Sequence, residues 1–170
     1  MNDFRVIRPE ESDPIYDTIG KGWFLLSAGD GERNNTMTVS WATVGKLWNK
    51  SVAICYVRPQ RYTFGILEKT DRLTLTSMPE GYRDALNFCG KASGRDGDKF
   101  AAAGLTCAFA ENGAPYPAEG KTVLVCKKLY AQDLDAAHIV DGGPIEKFYG
   151  KSGNWHRMYV GRVEEVYWNK

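Results

Sequence analysis

The chain contains the stretch Phe88-Cys89-Gly90-Lys91-Ala92-Ser93-Gly94-Arg95-Asp96-Gly97-Asp98-Lys99-Phe100, which combines glycines, a serine and several cations. The stretch begins where one predicted helix, at residues 82–88, ends, and it leads into a second predicted helix at 96–103. Such a corner presents free backbone N–H groups, a hydroxyl and positive charges, which together suit a phosphate or a similar anion. We therefore expect an anion-binding corner here.

A second basic corner, Arg58-Pro59-Gln60-Arg61-Tyr62-Thr63, lies upstream, at the start of a short helix predicted at residues 61–69. A guanidinium group can bind phosphate through two N–H groups, and the first N–H groups of a helix add neutral donors. The alternative for this corner is a solvent-exposed turn that caps the helix. In the first corner, likewise, Ser93 or Asp96 is a candidate N-cap of the second helix.

Upstream of both corners, apolar and small polar side chains alternate along residues 36–44, which predicts one β-strand. Thr36, Thr38 and Ser40 fall on one face of this strand, whereas Met37, Val39, Trp41 and Thr43 fall on the other. A row of small hydroxyl groups leaves room for a flat polar ring, although an exposed strand face has the same composition. The turn-forming residues 29–35 precede the strand, and a flexible turn at a strand entrance favours the pocket.

The remaining pattern predicts an antiparallel β-protein. Further strands are expected at residues 23–28, 51–57, 71–78, 105–109, 122–133 and 157–167, with a lead-in strand at 4–7, a helix at 10–18 and a helical turn at 145–149. In the strand at 71–78, Leu73 and Leu75 are expected to face inward, and Thr74 and Thr76 outward. The helices are too short for parallel crossovers, so we predict one mainly β domain over residues 1–170, an antiparallel barrel with short peripheral helices.

The composition excludes several classes of protein. With 43% hydrophobic and 25% charged residues the chain has the balance of a folded domain, and its net charge of +1 argues against a nucleic-acid partner. No apolar run reaches the roughly 20 residues of a membrane span, and the first residues lack the pattern of a secretory signal. Four scattered cysteines predict free thiols in the cytoplasm and no metal site, with Cys89 alone close to the candidate site.

The sequence contains no recognisable catalytic constellation. His156 is the one candidate proton donor, but no carboxylate can be assigned to orient it. Together with Trp155 it follows the glycine-containing residues 150–154, which form either a lid over a ring ligand or an ordinary hairpin loop. The chain also lacks a Walker loop and a GxGxxG motif, so we assign no catalytic residue.

Three motifs together are similar to those of the flavin reductase-like, FMN-binding split-barrel family, and especially of its flavoredoxin-type branch. They are Asn35-Thr36-Met37-Thr38-Val39-Ser40-Trp41, Arg61-Tyr62-Thr63, and residues 89–100 followed by Gly104-Leu105-Thr106. The resemblance covers residues 22–166, but the loop at 149–156 cannot be matched to the family. It implies a homodimer with non-covalent FMN at the subunit interface, the flavin ring along residues 36–42 and the phosphate at the two basic corners. The cofactor-binding residues it implies are Asn35, Thr36, Met37, Thr38, Val39, Ser40, Trp41, Arg58, Arg61, Tyr62, Thr63, Cys89, Gly90, Ser93, Gly94, Arg95 and Lys99.

The function that this resemblance implies is that of an NAD(P)H-dependent flavin reductase, or of a flavoredoxin-like protein that passes electrons through FMN to a small acceptor or redox partner. In such proteins the flavin carries the redox chemistry, and no protein nucleophile is needed. Two alternatives stay open. One is an electron-carrier or non-catalytic FMN protein without productive nicotinamide binding, and the other is a sheet-based module that binds a different ligand.

Overall fold

A computed structural model of the chain describes residues 7–143, 145–150 and 153–169. Seven strands form one antiparallel sheet in the order β2-β1-β5-β8-β9-β4-β3, and two short strands, β6 and β7, form a separate antiparallel pair. The strands are β1 (Phe24–Gly29), β2 (Asn34–Val39), β3 (Ala42–Leu47), β4 (Lys50–Val57), β5 (Arg72–Ser77), β6 (Cys107–Phe109), β7 (Pro115–Pro117), β8 (Thr122–Asp133) and β9 (Arg157–Trp168). The prediction of a mainly antiparallel β-fold is confirmed.

The seven-stranded sheet curls into a barrel, because its two edge strands are neighbours in sequence. Only Ser40 and Trp41 separate the end of β2 from the start of β3, yet these strands lie at opposite ends of the sheet order. One buried hydrophobic cluster accordingly includes side chains from β1, β2, β4, β5, β8 and β9. The single strand predicted at residues 36–44 is therefore wrong: the chain leaves one edge at Ser40 and enters the other edge at Ala42.

Short helices surround the barrel: α1 (Pro9–Ser12), α2 (Ile15–Asp17), α3 (Tyr62–Leu67), α4 (Arg83–Lys91) and α5 (Lys99–Ala102), with single turns at Thr18–Gly22, Ala136–His138 and Ile145–Tyr149. The helix predicted at 10–18 is interrupted at Asp13, which has an extended backbone, because a residue that precedes a proline disfavours the helical conformation. Of the lead-in strand predicted at 4–7, residues 4–6 lie outside the described residues, and Ile7 is not in a strand. None of the helices in the described ranges combines the length and the hydrophobicity needed to cross a bilayer.

The second helix of the glycine-rich corner begins later than predicted. Gly97 has a φ of +145°, and α5 starts only at Lys99. The Asp98 carboxylate accepts hydrogen bonds from the backbone N–H groups of Phe100 and Ala101, so Asp98 is the N-cap, and neither Ser93 nor Asp96 has this role. The first helix, α4, continues through Gly90 to Lys91.

The outer face of β5 is covered, contrary to the predicted exposure of its threonines. Thr74 and Thr76 are both fully buried, and the Thr74 hydroxyl donates to the Pro115 carbonyl at 2.8 Å. Pro115 belongs to β7, a strand that the sequence analysis did not predict in this glycine- and proline-rich connection. The two-stranded β6–β7 unit thus supplies a second layer over this part of the sheet.

Helices α4 and α5 pack on the outer face of β1 and β2. Their buried side chains form a cluster with Leu25 that includes Leu86, Cys89 and Phe100. The Thr38 hydroxyl of β2 donates to the Leu86 carbonyl of α4, and a Cβ at Gly90 would lie 3.5 Å from the Thr38 Cβ. This close approach places the C-terminal end of α4, and with it the glycine-rich corner, directly beside β2.

Candidate functional site

Two neighbouring cavities meet along β2 and the end of α4. The first, called the strand groove, has a volume of about 280 Å³ and is lined by Met37, Thr38, Val39, Ser40, Trp41, Tyr56, Arg58, Arg61, Gly90, Phe148 and His156. The second, called the corner pocket, has a volume of about 170 Å³ and is lined by Asn35, Gln60, Arg61, Tyr62, Thr63, Lys91, Ala92, Ser93, Gly94, Arg95 and Lys99. Arg61 lines both cavities, so it marks the junction between them.

Arg61 occupies this junction because it is the N-cap residue of α3, with an extended backbone. Its guanidinium group donates to the last carbonyls of α4, at 2.8 Å to Gly90 and 3.2 Å to Cys89. A cation at a helix C-terminus is favoured by the helix dipole. Burial removes the guanidinium group partly from water and lowers the pKa of Arg61.

Lys99 brings a second cation to the same helix end. Only 3% of the residue is exposed, and its Nζ atom donates to the Cys89 carbonyl at 2.7 Å. Burial, together with the nearby positive charge of Arg61, lowers the pKa of Lys99 from 10.5 to about 8. Among the described residues neither Lys99 nor Arg61 forms an ion pair with a carboxylate. Two unneutralised cations at one pocket favour the binding of an anion.

The wall of the corner pocket leaves no room for a side chain at Gly94. A Cβ atom there would lie 2.3 Å from Tyr62 Cδ1 and 2.5 Å from Asn35 Oδ1, both far inside van der Waals contact. Asn35 is itself fixed, because its amide donates to the Thr63 hydroxyl at 2.7 Å and both residues are buried. Position 94 therefore requires glycine, because the backbone there passes close to both Asn35 of β2 and Tyr62 of α3.

Ser93 and Arg95 complete the corner pocket on its more exposed side. The Ser93 hydroxyl accepts from the Arg95 N–H at 3.2 Å, which stabilises the turn. The Arg95 side chain donates to the Gln60 carbonyl at 3.3 Å, and its guanidinium carbon lies 5.6 Å from the centre of the Tyr62 ring. The pocket thus contains hydroxyl, amide and cationic groups, the set that phosphate-binding sites use.

Aromatic side chains form the other end of the strand groove. The ring centre of Trp41 lies 5.0 Å from that of Phe148 and 4.7 Å from that of His156. The His156 Nδ1 atom is hydrogen-bonded to the Tyr149 hydroxyl at 2.9 Å. Burial, with the charge of Arg58 as a second cause, lowers the pKa of His156 to about 4. The imidazole is therefore neutral at pH 7.

The structure separates the two arginines that the sequence analysis had placed in one corner. Arg58 does not line the corner pocket; it lies in the strand groove, where its guanidinium group donates to the Phe148 carbonyl at 2.7 Å. Its guanidinium carbon also lies 5.6 Å from the centre of the Tyr149 ring. The reason is local: Arg58 follows the end of β4, whereas Arg61 opens α3 on the far side of the turn.

Two of the predicted site residues, Thr36 and Cys89, line neither cavity. Thr36 is fully buried, and its hydroxyl accepts from the Ser27 hydroxyl at 3.0 Å inside the fold. Cys89 is also fully buried, and burial raises the pKa of its thiol, which disfavours the thiolate. The sequence pattern predicts that three hydroxyl groups, those of Thr36, Thr38 and Ser40, face a ligand. Of these, the Thr38 hydroxyl donates to α4, and only Ser40 is exposed.

Sequence reasoning missed two residues of the strand groove, Tyr56 and Phe148. Tyr56 falls in the strand predicted at residues 51–57, and nothing in its sequence neighbours indicates which face of that strand borders a cavity. Phe148 belongs to the turn Ile145–Tyr149 and reaches the groove from 90 residues beyond Arg58. A contact at such a sequence distance leaves no local signal.

Comparisons with known proteins identify the family and the fold of the chain. The family described as flavin reductase like domain matches residues 16–170, and the chain belongs to this family. The fold is similar to that of a flavoredoxin from Methanosarcina acetivorans, with a TM-score of 0.70 and 17% sequence identity over 88% of this chain and 69% of that chain.

Two further solved structures share the fold. An FMN-binding protein from Thermus thermophilus with bound p-hydroxybenzaldehyde has a TM-score of 0.71 and 22% identity, over 100% of this chain and 83% of that chain. The flavoredoxin of Desulfovibrio vulgaris (Miyazaki F) has a TM-score of 0.68 and 21% identity, over 87% of this chain and 69% of that chain. No curated protein sequence matches the chain. The fold is thus the split β-barrel of flavin reductase-like proteins, as the sequence motifs predict.

Proposed function

We propose that the chain works as one flavin-binding domain that holds FMN non-covalently, with the flavin ring in the strand groove and the phosphate in the corner pocket. One observation carries this proposal: Arg61 joins a groove along β2 to a pocket with unneutralised cations. A mononucleotide has the same two parts, a flat ring system and a phosphate at the end of a short chain. Membership of the flavin reductase-like family makes FMN the mononucleotide to expect.

The residues of the corner pocket fit a phosphate group well. Lys99 and Arg61 supply positive charge from the side of α4, and the Ser93 hydroxyl and Arg95 approach from the exposed side. The absence of a side chain at Gly94 keeps Asn35 and Tyr62 in place and leaves the pocket open. A phosphate dianion would compensate the cost of burying the two cations, because charge-assisted hydrogen bonds are the strongest that proteins form.

The residues of the strand groove would orient the ring and leave the redox chemistry to the cofactor. Bound FMN supplies two-electron chemistry, so the protein needs no nucleophile of its own. Trp41 and Phe148 would border the ring, and the absence of a side chain at Gly90 lets α4 approach β2 closely. Neutral His156 can donate or accept a hydrogen bond there, but its low pKa excludes a role as a charged acid at pH 7.

We further propose that the protein is a cytoplasmic, homodimeric oxidoreductase that accepts hydride from NADH or NADPH and passes electrons to a small acceptor or redox partner. The four free cysteines support a reducing compartment. The experiment is an anaerobic titration of the yellow, FMN-loaded protein with each nicotinamide, followed by the visible flavin absorbance. Bleaching supports the reductase. A flavin that dithionite bleaches and neither nicotinamide does would instead indicate an electron carrier, and a colourless protein that takes up no FMN would refute flavin binding.

The phosphate assignment is tested by comparing FMN with riboflavin, which has the same ring and no phosphate. Arg61→Ala should weaken FMN binding by about 10-fold or more, because a charge-assisted hydrogen bond contributes about 1.5–3 kcal/mol. Ser93→Ala should weaken FMN binding to a smaller extent. Riboflavin affinity should change by less than about two-fold. Arg83→Ala is the control, since Arg83 lines neither cavity. Equal losses for the two ligands would show that the phosphate lies elsewhere.

A further inference from the structure

Arg58 presents a positive charge that nothing in the strand groove neutralises. In the described part of the chain it forms no ion pair with a carboxylate, and no aspartate or glutamate lines the groove. Among the described residues its side chain donates to the Phe148 carbonyl, and this bond uses a single N–H group of a guanidinium that carries five. Its other N–H groups can therefore donate to an acceptor in the groove.

This cation is distinct from those of the corner pocket. Lys99, Arg95 and Ser93 line only the corner pocket, whereas Arg58 lines only the strand groove. The corner pocket already contains enough positive charge for a phosphate. Arg58 thus lies at the ring end of the site, beside His156, which is neutral and adds no charge of its own.

Flat aromatic walls adjoin Arg58. Trp41 and Phe148 each have 38% of their surface exposed although both line a cavity, and their rings meet edge to face. Partly exposed aromatic side chains beside a cation in a concave site are suited to a planar ring, which packs on them and loses little conformational freedom. A single guanidinium edge matches a planar carboxylate, which it binds through two parallel hydrogen bonds.

We propose that the open side of the strand groove binds a flat aromatic compound that carries one carboxylate, with the ring against Phe148 and Trp41 and the carboxylate on Arg58. Arg58 is then the residue that determines specificity for the molecule that exchanges electrons at this site. The inference deepens the proposed function by naming a substrate class, and it rests on that function, because the bound flavin must form the floor of the groove.

The test compares two non-reacting probes, 2-naphthoate and 2-naphthamide, which have the same rings and nearly the same shape but differ in charge. Each is titrated into the FMN-loaded protein by isothermal calorimetry, a readout that requires no turnover. The wild-type protein should bind naphthoate about 10-fold more tightly than naphthamide. In Arg58→Gln this preference should fall to less than about two-fold while the affinity for naphthamide is retained, and Arg58→Lys should keep part of the preference.

Arg83→Gln is a matched control for the loss of an arginine. Arg83 also donates to a backbone carbonyl, that of Lys21 at 2.7 Å, and also lies over an aromatic ring, that of Trp23 at 4.5 Å, but it lies outside the groove. The Arg83→Gln variant should bind both probes with the affinity of the wild-type protein. A second variant, Phe148→Ala, should weaken the two probes equally, because it removes stacking and no charge.

Each outcome decides the inference. Equal binding of the two probes by the FMN-loaded wild-type protein overturns it and leaves the proposed function standing. An equal loss of affinity for both probes in Arg58→Gln also overturns the inference and leaves the proposed function standing, since it would mean that Arg58 only stabilises the turn containing Phe148. A protein that retains no FMN overturns the proposed function and this inference together.

Discussion

The buried charge of Lys99 should make the FMN-free protein less stable than a variant that lacks this charge. In the unfolded chain the Lys99 amine titrates near 10.5, and in the fold its pKa is lowered to about 8 by burial. Each pKa unit corresponds to about 1.4 kcal/mol, so holding the charged form costs the native state about 3 kcal/mol at pH 7. Lys99→Met removes this cost and loses one charge-assisted hydrogen bond to the Cys89 carbonyl, which contributes about 1.5–3 kcal/mol. We therefore expect the free energy of unfolding to rise by up to about 1.5 kcal/mol.

The gain should depend on pH in a defined direction. Below pH 8 both the folded and the unfolded wild-type chains hold the Lys99 proton, so the cost is fully present. Between pH 8 and 10.5 the folded chain has lost the proton and the unfolded chain keeps it, so wild-type stability rises with pH relative to the variant. Urea unfolding of the FMN-free proteins at pH 7 and pH 10 measures both values, and the advantage of Lys99→Met should shrink at the higher pH.

The same variant should bind FMN about 10–100-fold more weakly, with riboflavin nearly unchanged, because a charge-assisted bond to the phosphate is lost. Wild-type FMN affinity should also fall as the pH rises above 8, since binding then requires Lys99 to take up a proton, whereas Lys99→Met should lack this dependence. Fluorescence titrations of flavin between pH 7 and 9.5 test this. Lys128→Met is the control, since Lys128 also donates to a backbone carbonyl, that of Leu67, but lines neither cavity.

Two results would refute this reasoning. Lys99→Met could unfold more easily than the wild type at pH 7 by more than about 1 kcal/mol, which would make Lys99 a stabilising structural cation. Alternatively, FMN affinity could be the same in the variant and independent of pH above 8, which would remove Lys99 from the phosphate site.

Two further predictions concern packing and a buried hydrogen bond. Gly94→Ala should lower the free energy of unfolding by about 1–3 kcal/mol and weaken FMN binding, because its Cβ would collide with Asn35. Urea unfolding measures the change in stability. The control is Gly65→Ala, where no atom lies within 4 Å of the added Cβ and we expect no loss of stability. Tyr159→Phe should cost about 1–2 kcal/mol without affecting FMN, because the buried Tyr159 hydroxyl donates to Glu68 at 2.7 Å; thermal unfolding that leaves the variant as stable as the wild type would contradict this.

The local pattern of the sequence sufficed for much of the fold and for several residues of the corner pocket. The strand β8 has the predicted bounds, and β1, β4 and β9 begin and end within one residue of theirs. The reason is that alternation of side chains and turn-forming residues act within a few positions. Arg61, Ser93, Gly94 and Lys99 belong to the two corners whose residue types predict anion binding, and they line one pocket.

Only the tertiary structure decided which faces are covered and which side chains reach the strand groove. Thr36 and Thr74 have the composition of exposed strand positions, yet they are buried because a second layer, distant in sequence, packs over them. Arg58 lies three residues from Arg61 but faces another cavity, where it meets the carbonyl of Phe148. The periodicity of a sequence segment predicts which side chains share one face of a helix or strand. The neighbours of that face depend on how the barrel closes, and the sequence of a single segment does not determine this closure.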